Sequence, residues 1–106
     1  MSNNHISDFN NLNDNQKDLF TVNIIKGLVM DGVRNANSGH PGGPMSLADF
    51  TYILYSEFLT IDPKNPDWEN RDRVVLSVGH TCMLIYSILY LCGILKMDDL
   101  KNFRKL

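Results

Sequence analysis

Only one stretch of this chain reads as a β-strand, and a lone strand has nothing to pair with. Arg73-Val74-Val75-Leu76-Ser77 is a short run of β-branched and apolar residues without alternation, the pattern of a strand buried on both faces, as in a parallel sheet. Such a strand needs neighbours, because an unpaired ladder leaves its buried N–H and C=O groups without partners. Elsewhere the apolar residues recur at helical spacing. The expected fold class is therefore α/β: the opening helices and first strand of a parallel-sheet, ligand-binding domain that is incomplete in this chain. The closing Lys101-Asn102-Phe103-Arg104-Lys105-Leu106 carries no helix-stop signal, in keeping with truncation.

Residues 1–13 are rich in Asn and Ser, with only Ile6, Phe9 and Leu12 to bury, and read as a polar flexible tail. Residues 14–106 form the structured segment. A first helix is expected from Asp14 to Asn37, stopped by Gly39 and Pro41. Its apolar residues make two stripes, Val22, Ile25, Val29 and Val33 on one side and Phe20, Ile24 and Leu28 nearly opposite, so it needs partners on two sides. A second helix is expected to open at a Ser46-x-x-Asp49 capping box, with Leu47, Phe50, Leu54 and Phe58 as its apolar face. Pro63 and Pro66 close it, since each drives the preceding residue out of the helical region, and Trp68 pins the connection to the body. A third helix, with Leu84, Ile88, Leu91 and Leu95 on one face, follows the strand, and a short fourth begins near Met97-Asp98.

At 106 residues the chain is at most one small domain, and 43% hydrophobic residues suffice for a core. The net charge of −2, without any run of lysine or arginine, argues against a nucleic-acid partner. The longest apolar stretch, Met83 to Leu95, is broken by Ser87 and Gly93 and is too short to span a bilayer, so no membrane partner is expected. With no apolar signal segment at the amino terminus, the expected location is cytoplasmic. Cys82 and Cys92 fall on one helix, about 15 Å of rise apart, too far to bridge. They read as reduced thiols, and nothing resembles a structural zinc site.

The chemistry-bearing residues are two glycine-flanked histidines. Ser38-Gly39-His40-Pro41-Gly42-Gly43-Pro44 surrounds one imidazole with residues that fix or free the backbone, giving a stiff loop shaped to approach something closely. Taken alone, this loop is as consistent with a chain reversal as with a site. Ser77-Val78-Gly79-His80 places the second imidazole where a strand would run into a helix, the end of an α/β sheet at which ligands bind. Asp72, between Arg71 and Arg73, reads as an ion pair at the strand entry or as a solvated edge, the latter favoured. Tyr52, Tyr55, Tyr86 and Tyr90 lie at helical spacing and read as core or interface aromatics.

Taken in order, these residues resemble transketolase. The matching features are Met30-Asp31-Gly32-Val33, Ser38-Gly39-His40-Pro41-Gly42, Pro44-Met45, Ala48-Asp49, Asn65-Pro66 before Trp68, Asp72 to His80, Met83-Leu84-Ile85-Tyr86-Ser87, and Leu100 to Arg104. Either histidine loop alone is a weak match; the ordered set, from about residue 17 to the end, is highly specific. The resemblance implies the opening part of a thiamine diphosphate-binding domain in an enzyme that moves a two-carbon ketol group from a ketose phosphate to an aldose phosphate. It further implies that His40 faces the substrate's hydroxyls and developing oxyanion, as a catalytic and substrate-binding residue, and that His80 is cofactor-binding, on the diphosphate side. Sugar phosphates, a Mg²⁺ or Ca²⁺ ion whose ligands lie outside this chain, and a homodimer in the complete protein belong to the same implication. The segment alone is expected to be inactive, because the family's metal-holding and cofactor-activating residues are not in it.

Gly43 stands where some family members carry a serine or alanine that touches the cofactor, so it is not expected to be a side-chain ligand. Val78 replaces a polar residue, and Thr81-Cys82 replaces two small ones; neither change removes an imidazole. Other members of the wider group share the Gly-His logic, including deoxyxylulose-phosphate synthase, dihydroxyacetone synthase and the thiamine-dependent component of pyruvate dehydrogenase. The Pro-Gly-Gly-Pro-Met and Asp-Arg-Val-Val-Leu-Ser stretches fit transketolase better. An alternative outside catalysis is a remnant that binds a partner through its apolar faces.

Overall fold

A computed structural model describes residues 9–105, and the described residues form an all-helical assembly. Helix α1 spans Asp14–Ala36 and begins where the sequence prepares it. The Asn13 side chain accepts from the Gln16 N–H at 2.8 Å, and the Gln16 side chain accepts from the Asn13 N–H at 3.0 Å, a reciprocal cap. Most of the stretch read as a flexible tail lies outside the described residues. Its last part is seen, with Phe9 edge-on against Phe20 at 5.3 Å. At the other end Asn37 turns left-handed, with φ of 51°, and its N–H bonds back to Arg34. The Ser38 N–H reaches the Val33 carbonyl at 3.3 Å, completing a paired helix stop that asparagine tolerates better than most residues.

Helix α2 spans Gly42–Ile53, four residues earlier than the expected capping box. Ser46 therefore lies inside the helix, its hydroxyl donating to the Gly43 carbonyl at 3.1 Å, and Asp49 faces Lys26 of α1 at 3.5 Å. The inward face differs as well. Pro44, Ala48 and Thr51 are buried, whereas Leu47, Phe50 and Phe58 are 40%, 66% and 71% exposed. Small residues are turned inward, Ala48 against Val22 and Ile25 of α1, and the bulky stripe looks outward. A π-helical turn, Leu54–Phe58, follows directly, its extra residue per turn marked by the Leu59 N–H bonding to the Leu54 carbonyl.

The expected strand does not form: Arg73–Ser77 carries no strand, nor does any other described residue. Val75 is 88% exposed and only Leu76 is half-buried. The physical reason is the one the sequence raises, that no neighbouring segment offers a ladder. The segment is instead held at its start. Asp72 donates its N–H to the Thr60 carbonyl at 2.8 Å and accepts the Thr60 N–H on its carboxylate at 2.7 Å. Asp72 is thus a loop clasp on an exposed edge, as favoured, its carboxylate bonded to the Thr60 N–H rather than paired with either arginine. Arg71 and Arg73 donate to backbone carbonyls of Trp68, Glu69 and Arg71.

A short 3₁₀ turn, Gly79–Thr81, leads into helix α3, Cys82–Leu91, and helix α4, Met97–Lys101, follows a turn at Gly93. Helix α1 runs along two core clusters. Val22 and Ile25 meet Ala48, Leu84 and Ile88, with Tyr52, Tyr55 and Cys92 packed against them. Further along, Val29 meets Met83, Leu100 and Phe103. Both cysteines are free.

Candidate functional site

The two histidine loops, distant in sequence, meet in space. The His40 and His80 rings are edge-to-face with centroids 5.0 Å apart and planes inclined at 63°. Both residues are exposed, so the imidazoles share an open face of the molecule. The structure thus brings together the two residues that the sequence singles out and leaves both exposed among the described residues.

Each imidazole is positioned by a different device. His40 follows Gly39, whose φ of 131° lies in a region that side-chain-bearing residues rarely adopt. A Cβ there would stand 3.0 Å from Phe103 and 3.2 Å from Val33. Gly39 is therefore clasped between the last turn of α1 and an aromatic from beyond α4. His80 sits in the 3₁₀ turn, and the next residue, Thr81, is 1% exposed. The Thr81 hydroxyl donates to the Val78 carbonyl at 2.8 Å, and its N–H reaches the same carbonyl at 3.0 Å. Pro44, four residues after His40, and Thr81, next to His80, are both buried, so each loop is anchored in the interior close to its imidazole.

The glycines around the pair divide by what lies next to them. At Gly42 and Gly79 a Cβ would meet nothing within 4 Å, so the backbone beside each imidazole borders open space. At Gly43 a Cβ would collide with Thr81, so that glycine serves packing. Helix α2 also begins without a side-chain cap and without an acidic residue in its first turn, an end that suits a negatively charged group. Two exposed imidazoles, two glycines bordering open space and an uncapped helix start fit a diphosphate-bearing cofactor.

Sequence reasoning misses the parts that hold the histidines. Nothing local marks Phe103 as the partner of Gly39, and Thr81 looks like an ordinary helix-start threonine. Pro41 and Pro44 are the one available signal, since they mark the loop as built to hold a shape. A groove of about 330 Å³ lies elsewhere, beside the unpaired segment, lined by Ile61, Val74, Leu76, Ile85, Leu89 and Ile94. Among the described residues no group of three or more His, Cys, Asp or Glu side chains could hold a metal ion. No helix among them is long and apolar enough to cross a membrane.

Comparison with known proteins gives one consistent answer. The family model described as transketolase, thiamine diphosphate binding domain, matches residues 17–106. Transketolase 2 of Vibrio parahaemolyticus is 56% identical over 88 residues, covering 82% of this chain and 13% of that protein. Transketolase 1 of Vibrio cholerae is 58% identical over 86 residues, covering 80% and 13%. Among solved structures, transketolase from Leishmania mexicana superposes with a TM-score of 0.77 at 44% identity, over 80% of this chain and 13% of that one. The chain thus spans a small part of the length of these relatives. On sequence and fold, it belongs to the transketolase family and corresponds to the N-terminal part of the thiamine diphosphate-binding domain.

Proposed function

We propose that this chain supplies the histidine side of a transketolase site, working in a complete, cytoplasmic and homodimeric protein on sugar phosphates. The carrying observation is the His40–His80 pair, 5.0 Å apart on an open face, with unobstructed glycine backbone beside each ring. Relatives at 56% and 58% identity are named transketolases, which favours this reading over the other thiamine-dependent enzymes and over a non-catalytic remnant.

In this reading His80 donates a ring N–H to the diphosphate side of the cofactor, and His40 faces the substrate's hydroxyls and its developing oxyanion. Thiamine diphosphate, when bound, supplies the electron sink for cleavage of a carbon–carbon bond. The protein's own contribution is to present fixed donors where negative charge grows, which costs no rearrangement at the moment of reaction. An imidazole suits both places because it can donate from one nitrogen while the other accepts or passes a proton. A divalent ion, Mg²⁺ or Ca²⁺, would be held with the diphosphate by groups other than those described here. The Arg73–Ser77 segment would find strand partners in the rest of the domain.

The test uses the complete protein carrying this segment. Loss of a charge-assisted hydrogen bond is worth about 1.5–3 kcal/mol, so His80→Ala is expected to weaken cofactor affinity roughly 10- to 100-fold. His40→Ala is expected to leave cofactor affinity nearly intact and to lower kcat by about 10²–10³, the usual cost of one oxyanion donor. Cofactor titration and steady-state kinetics at saturating cofactor separate the two. Reversed effects, or two cofactor-binding defects, would overturn the assignment.

A further inference from the structure

We infer that Gly43 and Thr81 form the joint that sets the spacing of the two imidazoles, with Thr81 acting as a positioning residue for the pair. Its functional weight rests on the site proposed above; its geometry does not. Gly43 lies three residues after His40, in the first turn of α2, and Thr81 immediately follows His80. A Cβ on Gly43 would stand 2.5 Å from the Thr81 Cγ2 methyl, closer than real Cβ contacts come, while the Thr81 Cβ would be at an ordinary 3.7 Å. The obstruction is therefore one methyl group.

That methyl has little freedom to turn away. The Thr81 hydroxyl donates to the Val78 carbonyl at 2.8 Å, which fixes its rotamer, and the residue is 1% exposed. Gly43 itself has a helical backbone, outside the left-handed region. Unlike Gly39, it could accept a side chain if Thr81 allowed one. Helix propensity would favour alanine over glycine at such a position, so glycine there reflects the neighbour. The first turn of α2 rests directly on the Thr81 methyl. Any carbon added between them must push the His40 loop away from His80.

The prediction is specific because one substitution should undo another. Gly43→Ala should separate the rings. Thr81→Ser removes only the obstructing methyl and keeps the hydroxyl bonded to Val78, so Gly43→Ala combined with Thr81→Ser should bring them back. The readout is the nuclear Overhauser cross-peak between His40 and His80 ring protons in the histidine-labelled chain, without cofactor. A melt of each variant accompanies it. The wild type and Thr81→Ser are expected to show the cross-peak, Gly43→Ala to lose it, and the double variant to regain it. If Gly43→Ala does not fold, a folded double variant with the cross-peak still supports the joint, and an unfolded one overturns it. A cross-peak kept at wild-type strength in Gly43→Ala, or absent from a folded double variant, also overturns it. This outcome is independent of the cofactor titration of His80→Ala, so the joint and the functional reading fail separately.

Discussion

Gly39 shows most directly how single residues hold this site. Its φ of 131° disfavours any side chain, and Phe103 and Val33 stand close enough that an added Cβ would need them to give way, so Gly39→Ala meets backbone strain and crowding together. The expected loss of stability exceeds about 1 kcal/mol, the scale on which glycine substitutions act where the native backbone suits them; urea unfolding checks it. Cys92 offers a chemical probe at the same scale. Burial pushes its thiol up from the ordinary range, so at pH 8 it should react with iodoacetamide more slowly than a free cysteine, and a rate equal to that of the free amino acid would contradict the burial. Of these residues, only the histidines stand out in the sequence. His40 lies between glycine and proline and His80 follows glycine, features visible in any short window, whereas Phe103 beside Gly39 and Thr81 beside Gly43 come from distant segments and leave no local trace.

Among the elements, α1 is legible nearly to the residue, because its cap at Asn13 and its stop at Asn37 are local hydrogen-bonding events. Helix α2 is legible in existence but not in orientation. Hydrophobic size alone assigns Leu47, Phe50 and Phe58 to the core, while the face that is buried carries the smaller Pro44, Ala48 and Thr51. The difference is measurable: Phe50→Ser, at an exposed position, should change stability by no more than about 0.5 kcal/mol. Met83→Ala, at a site 1% exposed, should cost about 2–5 kcal/mol. The two helices are also tied by Tyr52, whose hydroxyl donates to the Asp18 carboxylate at 2.6 Å. That hydrogen bond, then burial, raises the Tyr52 pKa above its usual 10.0. A tyrosine raised on folding contributes fully below pH 10 and loses its contribution as pH climbs through the folded value. The Tyr52→Phe variant should therefore be less stable than the parent at pH 7, by at most about 1 kcal/mol at this solvent-accessible pair. The gap should close in strong base, as followed by urea unfolding across pH. A gap independent of pH would rule out the Asp18 bond as its source.

For the whole molecule, the strand is the expectation that fails, and its failure is instructive. A helix satisfies its own backbone, so a helical pattern can be read from one segment; a strand is a relation between segments, and Arg73–Ser77 has no other party to it here. The site has the same character. Two imidazoles and an uncapped helix start are present, but no metal-holding cluster lies among the described residues. The purified 106-residue chain is accordingly expected to show no ketol transfer between sugar phosphates. It should also bind thiamine diphosphate more weakly than 1 μM, which corresponds to about −8.2 kcal/mol. Calorimetric titration finding micromolar binding, or a coupled assay finding turnover, would mean that the chain holds more of the site than its histidines.

The clasp of Phe103 on Gly39 also has a consequence in time. During synthesis the His40 loop leaves the ribosome well before Phe103 is made, and at roughly 5–20 residues per second the delay is on the order of several seconds. Through that interval α1 can already be wound and capped, since both its ends close on near neighbours. The loop that carries His40 has no aromatic to rest on until the turn after α4 arrives. The imidazole pair is thus a late product of an early segment, assembled only when the chain folds back on its own beginning.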